Sequence, residues 1–447
     1  MSFSKQYIKL VDRFLPSPFV IALLLSAITF FLALIFTGEE GENLFQQSQN
    51  ILGFWQKGFW ELLAFTMQMV LILLLGHTLA LTPFFSNIIK KIASVPSNTS
   101  QAAFLISFFT IVMSFLNWGL CLIFGAILSR KIGENFNAEN KNFNYGILGA
   151  AGYSGMMVWH GGLSASAPLK VAEMGHFLVD KIGVISISET LFSSMNIVIS
   201  IVLLIFIPGL FYFLGRIFSS NTDYSKLLKP SNKEEAQIDN SASENKAWIA
   251  YLLSGIMVLS ASFYAFDKWN TNESIVDLNF INFLLLSFGI LLHGSLAKFM
   301  RAVNSGITGV SGIVIQFPIY SGIMGIMKYS GLVILISDFF VSISTATSFP
   351  ILTFFSAGLV NFFVPSGGGQ WAVQGPIVVE AANALNIPIY KIIMALAYGD
   401  QITNMLQPFW ALPLLGITQL KAKDILPYSF FALLFGAVIF IIGLLIF

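Results

Sequence analysis

Apolar residues run along this chain in long blocks separated by short polar stretches. They show neither the two-residue alternation of half-buried strands nor the single apolar stripe of surface helices. A helix needs about 20 mostly apolar residues to cross the hydrocarbon core of a bilayer. Residues 18–37, 58–81, 145–169, 189–214, 247–266, 279–292, 307–327, 390–414 and 424–447 read as spans on that test, the 279–292 stretch being short. Regions 101–128 and 349–382 read differently. The first is broken by Asn117, Trp118 and Gly119, the second by the run from Pro365 to Gln370 with its three consecutive glycines. Each half of a broken region is too short to cross, so each region is expected to form a re-entrant helical hairpin.

The basic residues test this layout. With a cytoplasmic N-terminus and both broken regions returning to the side they left, 17 of the 23 lysines and arginines lie inside and 6 outside. The positive-inside rule favours that arrangement. Lys90 and Lys91 precede the first broken region, and Arg130 and Lys131 follow it. A simple span there would place one pair outside. The polar N-terminus lacks the small-residue cleavage site of a secretory signal.

Residues 145–169 align without a gap with 390–414, at an offset of 245. Identities fall at Tyr145/Tyr390, Ile147/Ile392, Ala150/Ala395, Tyr153/Tyr398, Pro168/Pro413 and Leu169/Leu414. Gln68 precedes the first broken region within a span, as Gln316 precedes the second. In this layout the paired spans run in opposite directions. The expected fold is an all-α polytopic membrane protein of two inverted-topology repeats, each with a re-entrant hairpin and a broken transmembrane helix. The N-terminal repeat covers 1–218, a polar cytoplasmic linker 219–246, and the C-terminal repeat 247–447. Such repeats place a substrate site where discontinuous helices meet near the membrane midplane.

Composition narrows the class. Charged residues are 10% and hydrophobic residues 56% of 447, with mean hydropathy +0.80. Soluble domains carry about 25% charge, so a soluble enzyme and a disordered chain are excluded. A net charge of +1 offers no field for nucleic acid. The single cysteine, Cys121, excludes a disulfide framework and a Cys-based zinc site. No nucleophile–base set, Walker motif or HExxH spacing accompanies the glycines. Neither catalysis nor a resident cofactor is therefore expected; the expected partners are the lipid bilayer and a small solute.

Consecutive glycines weaken a helix, but they expose backbone N–H groups. A helix N-terminus near Trp371 would turn those donors and its dipole toward an anion. Ser366, Gly367, Gly368, Gly369 and Gln370 are candidate substrate contacts on this ground, with Asn361 four residues before Pro365. Asn117, Trp118 and Gly119 hold the corresponding break. A carboxylate would lie between the two tips, with Phe362, Phe363 and Trp371 offering apolar surface to a short tail. Asp400 is the carboxylate most clearly inside a span, where an ionisable group is expensive. Asn404 follows at i+4, Gln401 adjoins, and Pro408 frees carbonyls. These oxygens suit Na⁺ at Asp400 and Asn404, and a protonatable Asp400 serves H⁺ equally. His160 and Ser164, in the glycine- and serine-rich stretch 159–168, complete the candidate coupling set.

At these residues the chain resembles a known family. The segment 361–376, from Asn361 through the triple glycine to Pro376, is similar to a signature of the AtoE-like short-chain fatty acid transporter family. So is 397–413, around Asp400 and Asn404. Shorter matches fall in the same order at 59–65, 117–119 and 316–318, so the resemblance covers nearly the whole chain. It implies uptake of short-chain monocarboxylates such as acetoacetate and butyrate across the bacterial inner membrane. It also implies kinship with ion-coupled carboxylate transporters that carry hairpins, form homodimers and move substrate by an elevator motion. Three positions depart from the family pattern. Gln370 stands where His is frequent, Asp400 where Glu is frequent, and His160 in a stretch that is glycine-rich in relatives. These bear on coupling ion and substrate preference. The remaining alternatives are a carrier of another small anion such as a dicarboxylate, or an anion channel.

Overall fold

The computed structural model describes residues 17–38, 42–61, 63–218, 227–228, 246–271, 275 and 278–447. The basic N-terminus, most of the acidic 39–42 loop and nearly all of the 219–246 linker lie outside them. Every regular element among the described residues is a helix, since hydrocarbon leaves the backbone no other partner. The first half contains α1 (Pro18–Phe36), α2 (Leu44–Glu61), α3 (Leu63–Ala80), α4 (Pro83–Ala93), α5 (Thr99–Leu116), α6 (Trp118–Ala138), α7 (Tyr145–Tyr153) and α8 (Ser194–Ile217). The second contains α9 (Ala247–Asn270), α10 (Leu278–His293), α11 (Leu296–Gly306), α12 (Ser311–Tyr329), α13 (Leu332–Ser342), α14 (Phe349–Asn361), α15 (Gly367–Ala384), α16 (Ile389–Thr403), α17 (Leu412–Thr418) and α18 (Ala422–Ile446). Among the described residues, six stretches are long and apolar enough to cross a bilayer, or seven if α11 and α12, bent by 60°, count as one. This is a multi-pass membrane architecture.

Local sequence sets many of the starts. Asn98, Asn144 and Ser193 cap α5, α7 and α8, each side chain accepting a first-turn N–H. Other boundaries differ from expectation. The expected 58–81 span holds all of α3 and the end of α2, and all but its last residue falls within one stretch, Leu44–Ala80, that is apolar enough to cross a bilayer. Gln46, Gln47, Asn50 and Lys57 disguise α2 as a loop, yet it packs along α12, where Ser321 donates to the Gly58 carbonyl. The expected 307–327 span begins at Ser311. The helices α4, α11 and α13 have 11 residues each, too few to register as spans.

Both broken regions form helical hairpins. The first has longer arms than expected, 18 residues in α5 and 21 in α6. At about 1.5 Å per residue, α5 alone nearly matches the bilayer core, so the expectation that each half is too short fails here. The reach of α6 was hidden by Arg130, Lys131 and Glu134, where Glu134 pairs with both cations at 3.0 Å. Asn135 Nδ2 donates to the Ala93 carbonyl at 3.3 Å, which returns the far end of α6 to the start of α5. In the second hairpin, Phe349 at the base of α14 shares a core cluster with Val378, Val379 and Ala382 of α15. The two expected broken helices are broken: α7 ends at Tyr153 and gives way to turns, and α16 ends at Thr403 before α17 resumes at Leu412.

Helices in hydrocarbon gain little from the hydrophobic effect and associate through close packing and hydrogen bonds. Accordingly α6 and α7 touch backbone to backbone: a Cβ on Gly125 would lie 2.1 Å from the Gly152 oxygen. Two packing groups result. The hairpins, the broken helices, α8 and α18 form one, and α1 to α3 with α9 to α12 form the other. His77 and His293 knit the second group, the former to Ser305 at 3.3 Å and the latter to the Thr78 carbonyl at 3.0 Å. The groups meet where α3 faces α6 and α12 faces α17.

Candidate functional site

The two hairpin tips meet the two unwound stretches, and the tips are chemically unequal. Asn117 ends α5 and caps α6. Its Oδ1 accepts the N–H groups of Gly119 at 2.8 Å and Leu120 at 3.1 Å, and its carbonyl accepts that of Cys121 at 3.1 Å. Ser164 Oγ accepts the remaining donor, the Trp118 N–H, at 3.0 Å. The first tip therefore has no backbone donor to spare. At the second tip α15 begins at Gly367, four residues before the expected start near Trp371. Ser366 Oγ accepts the Gly369 N–H at 3.2 Å, and its carbonyl accepts that of Gln370 at 2.7 Å. The N–H groups of Gly367 and Gly368 have no protein acceptor among the described residues, and Gly368 is exposed. Free donors at a helix N-terminus suit an anion, and only this tip offers them.

Gln370 turns inward. Its Nε2 donates to the Ala357 carbonyl and to Gln374 Oε1, both at 2.9 Å, and Gln374 Nε2 donates to Ser356 Oγ at 2.8 Å. This ladder holds the arms of the hairpin together. Asn361 is likewise an anchor: its Nδ2 lies 2.7 Å from the Asp400 carbonyl, 3.0 Å from Thr403 Oγ1 and 3.0 Å from Asn404 Oδ1, fixing α14 on α16. Trp371 is buried in the cluster of the second hairpin, with Phe177 at 6.5 Å between ring centres, so its ring offers no open surface to a tail.

Asp400 is the only buried carboxylate among the described residues. Its Oδ1 is 3.3 Å from His160 Nε2. The Ser166 N–H donates to His160 Nδ1 at 3.2 Å, which makes Nδ1 an acceptor and assigns the ring proton to Nε2, facing Asp400. Gln401 Oε1 accepts the His160 backbone N–H at 2.8 Å. The second tip lies directly against this pair. A Cβ on Gly367 would sit 2.5 Å from His160 Cε1 and 2.9 Å from Ser166 Oγ. The expected coupling residues thus separate: His160, Gln401 and Asp400 come together, while Ser164 serves the first tip.

Asn404 Oδ1 accepts from Asn361 Nδ2 and, at 2.8 Å, from Gln407 Nε2, so both of its lone pairs are used. It is not open to a cation as the i+4 spacing suggested. Open oxygens lie around it: Asp400 Oδ2, Asn361 Oδ1 and Gln407 Oε1 are buried without partners among the described residues. Such hard donors fit a cation like Na⁺.

Tyr153 supports the unwound stretch after Thr403. Its hydroxyl donates to the carbonyls of Asn404 at 2.8 Å and Gln407 at 3.3 Å. Tyr153→Phe leaves buried carbonyls bare and is expected to cost about 1–3 kcal/mol. A lowered melting temperature in detergent would register this, and an unchanged one would refute the anchoring role. Sequence reasoning found Tyr153 only as a repeat identity.

The structure sets Trp118, already a candidate, among aromatic residues that spacing alone did not reveal. Trp118, Trp159 and Trp410 meet at 4.9 to 6.4 Å between ring centres. Trp159 stacks on His160 at 3.6 Å, and Phe409 stacks on Phe317 at 4.0 Å. The signal available for Trp159 and Trp410 was their position in the two stretches that interrupt helices. Ser166 gave no signal apart from its serine-rich setting.

A family model described as short chain fatty acid transporter matches residues 1–447. A protein of Escherichia coli (strain K12), named for short-chain fatty acid transport, is 36% identical over 98% of both chains. One of Haemophilus influenzae with the same name is 37% identical over 97% of both. Two solved structures are similar at 14% identity. The Alcanivorax borkumensis YdaH transporter gives a TM-score of 0.44, covering 96% of this chain and 97% of that one. Neisseria gonorrhoeae MtrF gives 0.45, covering 98% and 97%.

Proposed function

The chain belongs to the short-chain fatty acid transporter family, and from that premise we propose that it carries short-chain monocarboxylates, acetoacetate and butyrate among them, into the cell by ion-coupled secondary transport. The observation carrying this reading is the pair of free N–H donors at Gly367 and Gly368, placed beside the His160–Asp400 pair. The substrate carboxylate docks on those donors and the Ser366 hydroxyl. Its short tail lies toward the Trp118–Trp159–Trp410 cluster. The coupling ion is Na⁺ or H⁺. A sodium ion would be held by Asp400 Oδ2 and the free amide oxygens of Asn361 and Gln407, and a proton by Asp400 with His160. The protein works as a homodimer in the inner membrane with a cytoplasmic N-terminus. Its halves form an inverted repeat with re-entrant hairpins, and the hairpin-bearing group moves as an elevator against the α1–α3 and α9–α12 group.

Uptake of labelled butyrate and acetoacetate into proteoliposomes, under imposed Na⁺ or pH gradients, tests this. Failure of both to accumulate with wild-type protein overturns the substrate assignment, and the gradient that drives uptake identifies the ion. Ser366→Ala removes the cap on the Gly369 N–H and a hydroxyl at the docking point. The expected loss is about fivefold to tenfold in uptake, in keeping with roughly 1 kcal/mol for a cap. Full activity in that variant would move the substrate away from the second tip.

A further inference from the structure

A groove of about 580 Å³ opens between the start of α5 and the end of α8, lined by Val95, Phe104, Leu105, Gly209, Tyr212 and Phe213. That volume falls within the roughly 300–1,000 Å³ of small-ligand sites. Its lining is apolar apart from Gln101, and at Gly209 an added Cβ would meet nothing within 4 Å. The helix α8 thus leaves a notch one side chain deep. Position gives the notch meaning. Gly215, near the end of α8, packs on the backbone of Ser100 in the first turn of α5. The groove therefore lies at one end of both helices, where a span leaves hydrocarbon for the headgroup layer.

Basic residues gather at that end. Arg216 follows Tyr212 by four residues and Phe213 by three, so it shares their face of α8 one turn on. Lys91, in the last turn of α4, precedes Val95 by four. Lys90, Lys91 and Arg216 are exposed and have no acidic partner among the described residues. No Asp or Glu occurs in α4, whose outer face sets exposed Phe84 and Ile88 beside the lysines. Exposed apolar side chains beside lysines suit the membrane interface, where lysine stems lie along apolar surface and the ammonium groups stay in water. A zwitterionic lipid would gain little from this rim, and a neutral apolar ligand nothing.

We propose that this groove holds one acyl chain of an anionic phospholipid, with its phosphate held by Arg216 and Lys91. Each basic residue near the surface strengthens binding of anionic lipid by roughly a factor of five. Native mass spectrometry of the full-length protein, given phosphatidylglycerol or phosphatidylcholine of identical chains, tests the site without any transport. Its outcome is thus independent of the proposed function. Wild-type protein should retain phosphatidylglycerol preferentially. Lys91→Gln with Arg216→Gln should lower that retention roughly 30-fold, to the level of phosphatidylcholine. Gly209→Trp fills the notch and should abolish retention of both lipids while the melting temperature in detergent is unchanged; Gly209→Leu is the milder filling if the indole disturbs α8. Equal retention of the two lipids by wild type overturns the proposal. So does full retention of phosphatidylglycerol by either kind of variant, or occupancy by a free long-chain fatty acid instead of phospholipid.

Discussion

Asp400→Asn is expected to lower coupled uptake on the order of 100-fold while the protein remains folded. The substitution keeps the shape and an acceptor for His160 Nε2, so the hydrogen bond at 3.3 Å can persist. What it removes is the negative charge, and Asp400 is the only buried carboxylate among the described residues. Hydrogen bonds to charged groups contribute about 1.5–3 kcal/mol, and a cation held there would lose the only buried countercharge among the described residues. Asp400→Glu should recover part of the activity, since it restores the carboxylate at the cost of displacing it by one methylene. Uptake in proteoliposomes, with melting temperature as the control for folding, decides the matter. Undiminished uptake by Asp400→Asn would remove the carboxylate from the coupling site.

Gly367→Ala is expected to be nearly as damaging, for a steric reason. The new Cβ would lie 2.5 Å from Cε1 and 2.7 Å from Nε2 of His160. His160 is 1% exposed and is held on three sides by Ser166, Gln401 and Asp400. The ring has no room to yield, so either the tip lifts or the His160–Asp400 bond breaks. Overpacking of this kind costs about 1–3 kcal/mol. It also pushes the free N–H donors of α15 away from the pair. Combining Gly367→Ala with His160→Ala removes the clash with the ring, so the stability lost by the pair should be smaller than the sum of the two single losses. Equal stability of wild type and Gly367→Ala would show that the tip does not rest on His160.

The Asp400 contrast explains what could be read before the structure. A carboxylate in an apolar block is conspicuous in one dimension, because burying it is costly wherever it goes. The glycine run and Asn117 were visible for a similar reason: breaks in apolar stretches must satisfy their backbone locally. Partners were another matter. Asp400 and His160 are 240 residues apart, and Gln401 reaches back 241 to the His160 backbone. Spacing along one helix instead suggested Asn404, whose oxygen is already used by Asn361 and Gln407. Ser164 and Ser166 are two residues apart, yet they serve different tips. The turns in which the chain unwinds re-aim neighbouring side chains, and no periodicity survives there.

By itself the sequence determined the membrane class, most of the spans, the two breaks and the residue types that cluster at them. These follow from hydropathy and backbone satisfaction, which act locally. Only the tertiary structure decided that the first tip is saturated and the second open. Both tips start a helix after a polar break, and both have a capping side chain. The difference lies in who takes the leftover N–H groups. Ser164 crosses from the unwound stretch to take the Trp118 donor at the first tip. At the second, Gly367 lies so close to His160 and Ser166 that nothing larger fits, and its donor and that of Gly368 stay free. That asymmetry depends on how segments distant in the chain pack, and hydrogen bonds made across such distances leave no trace in the order of residues.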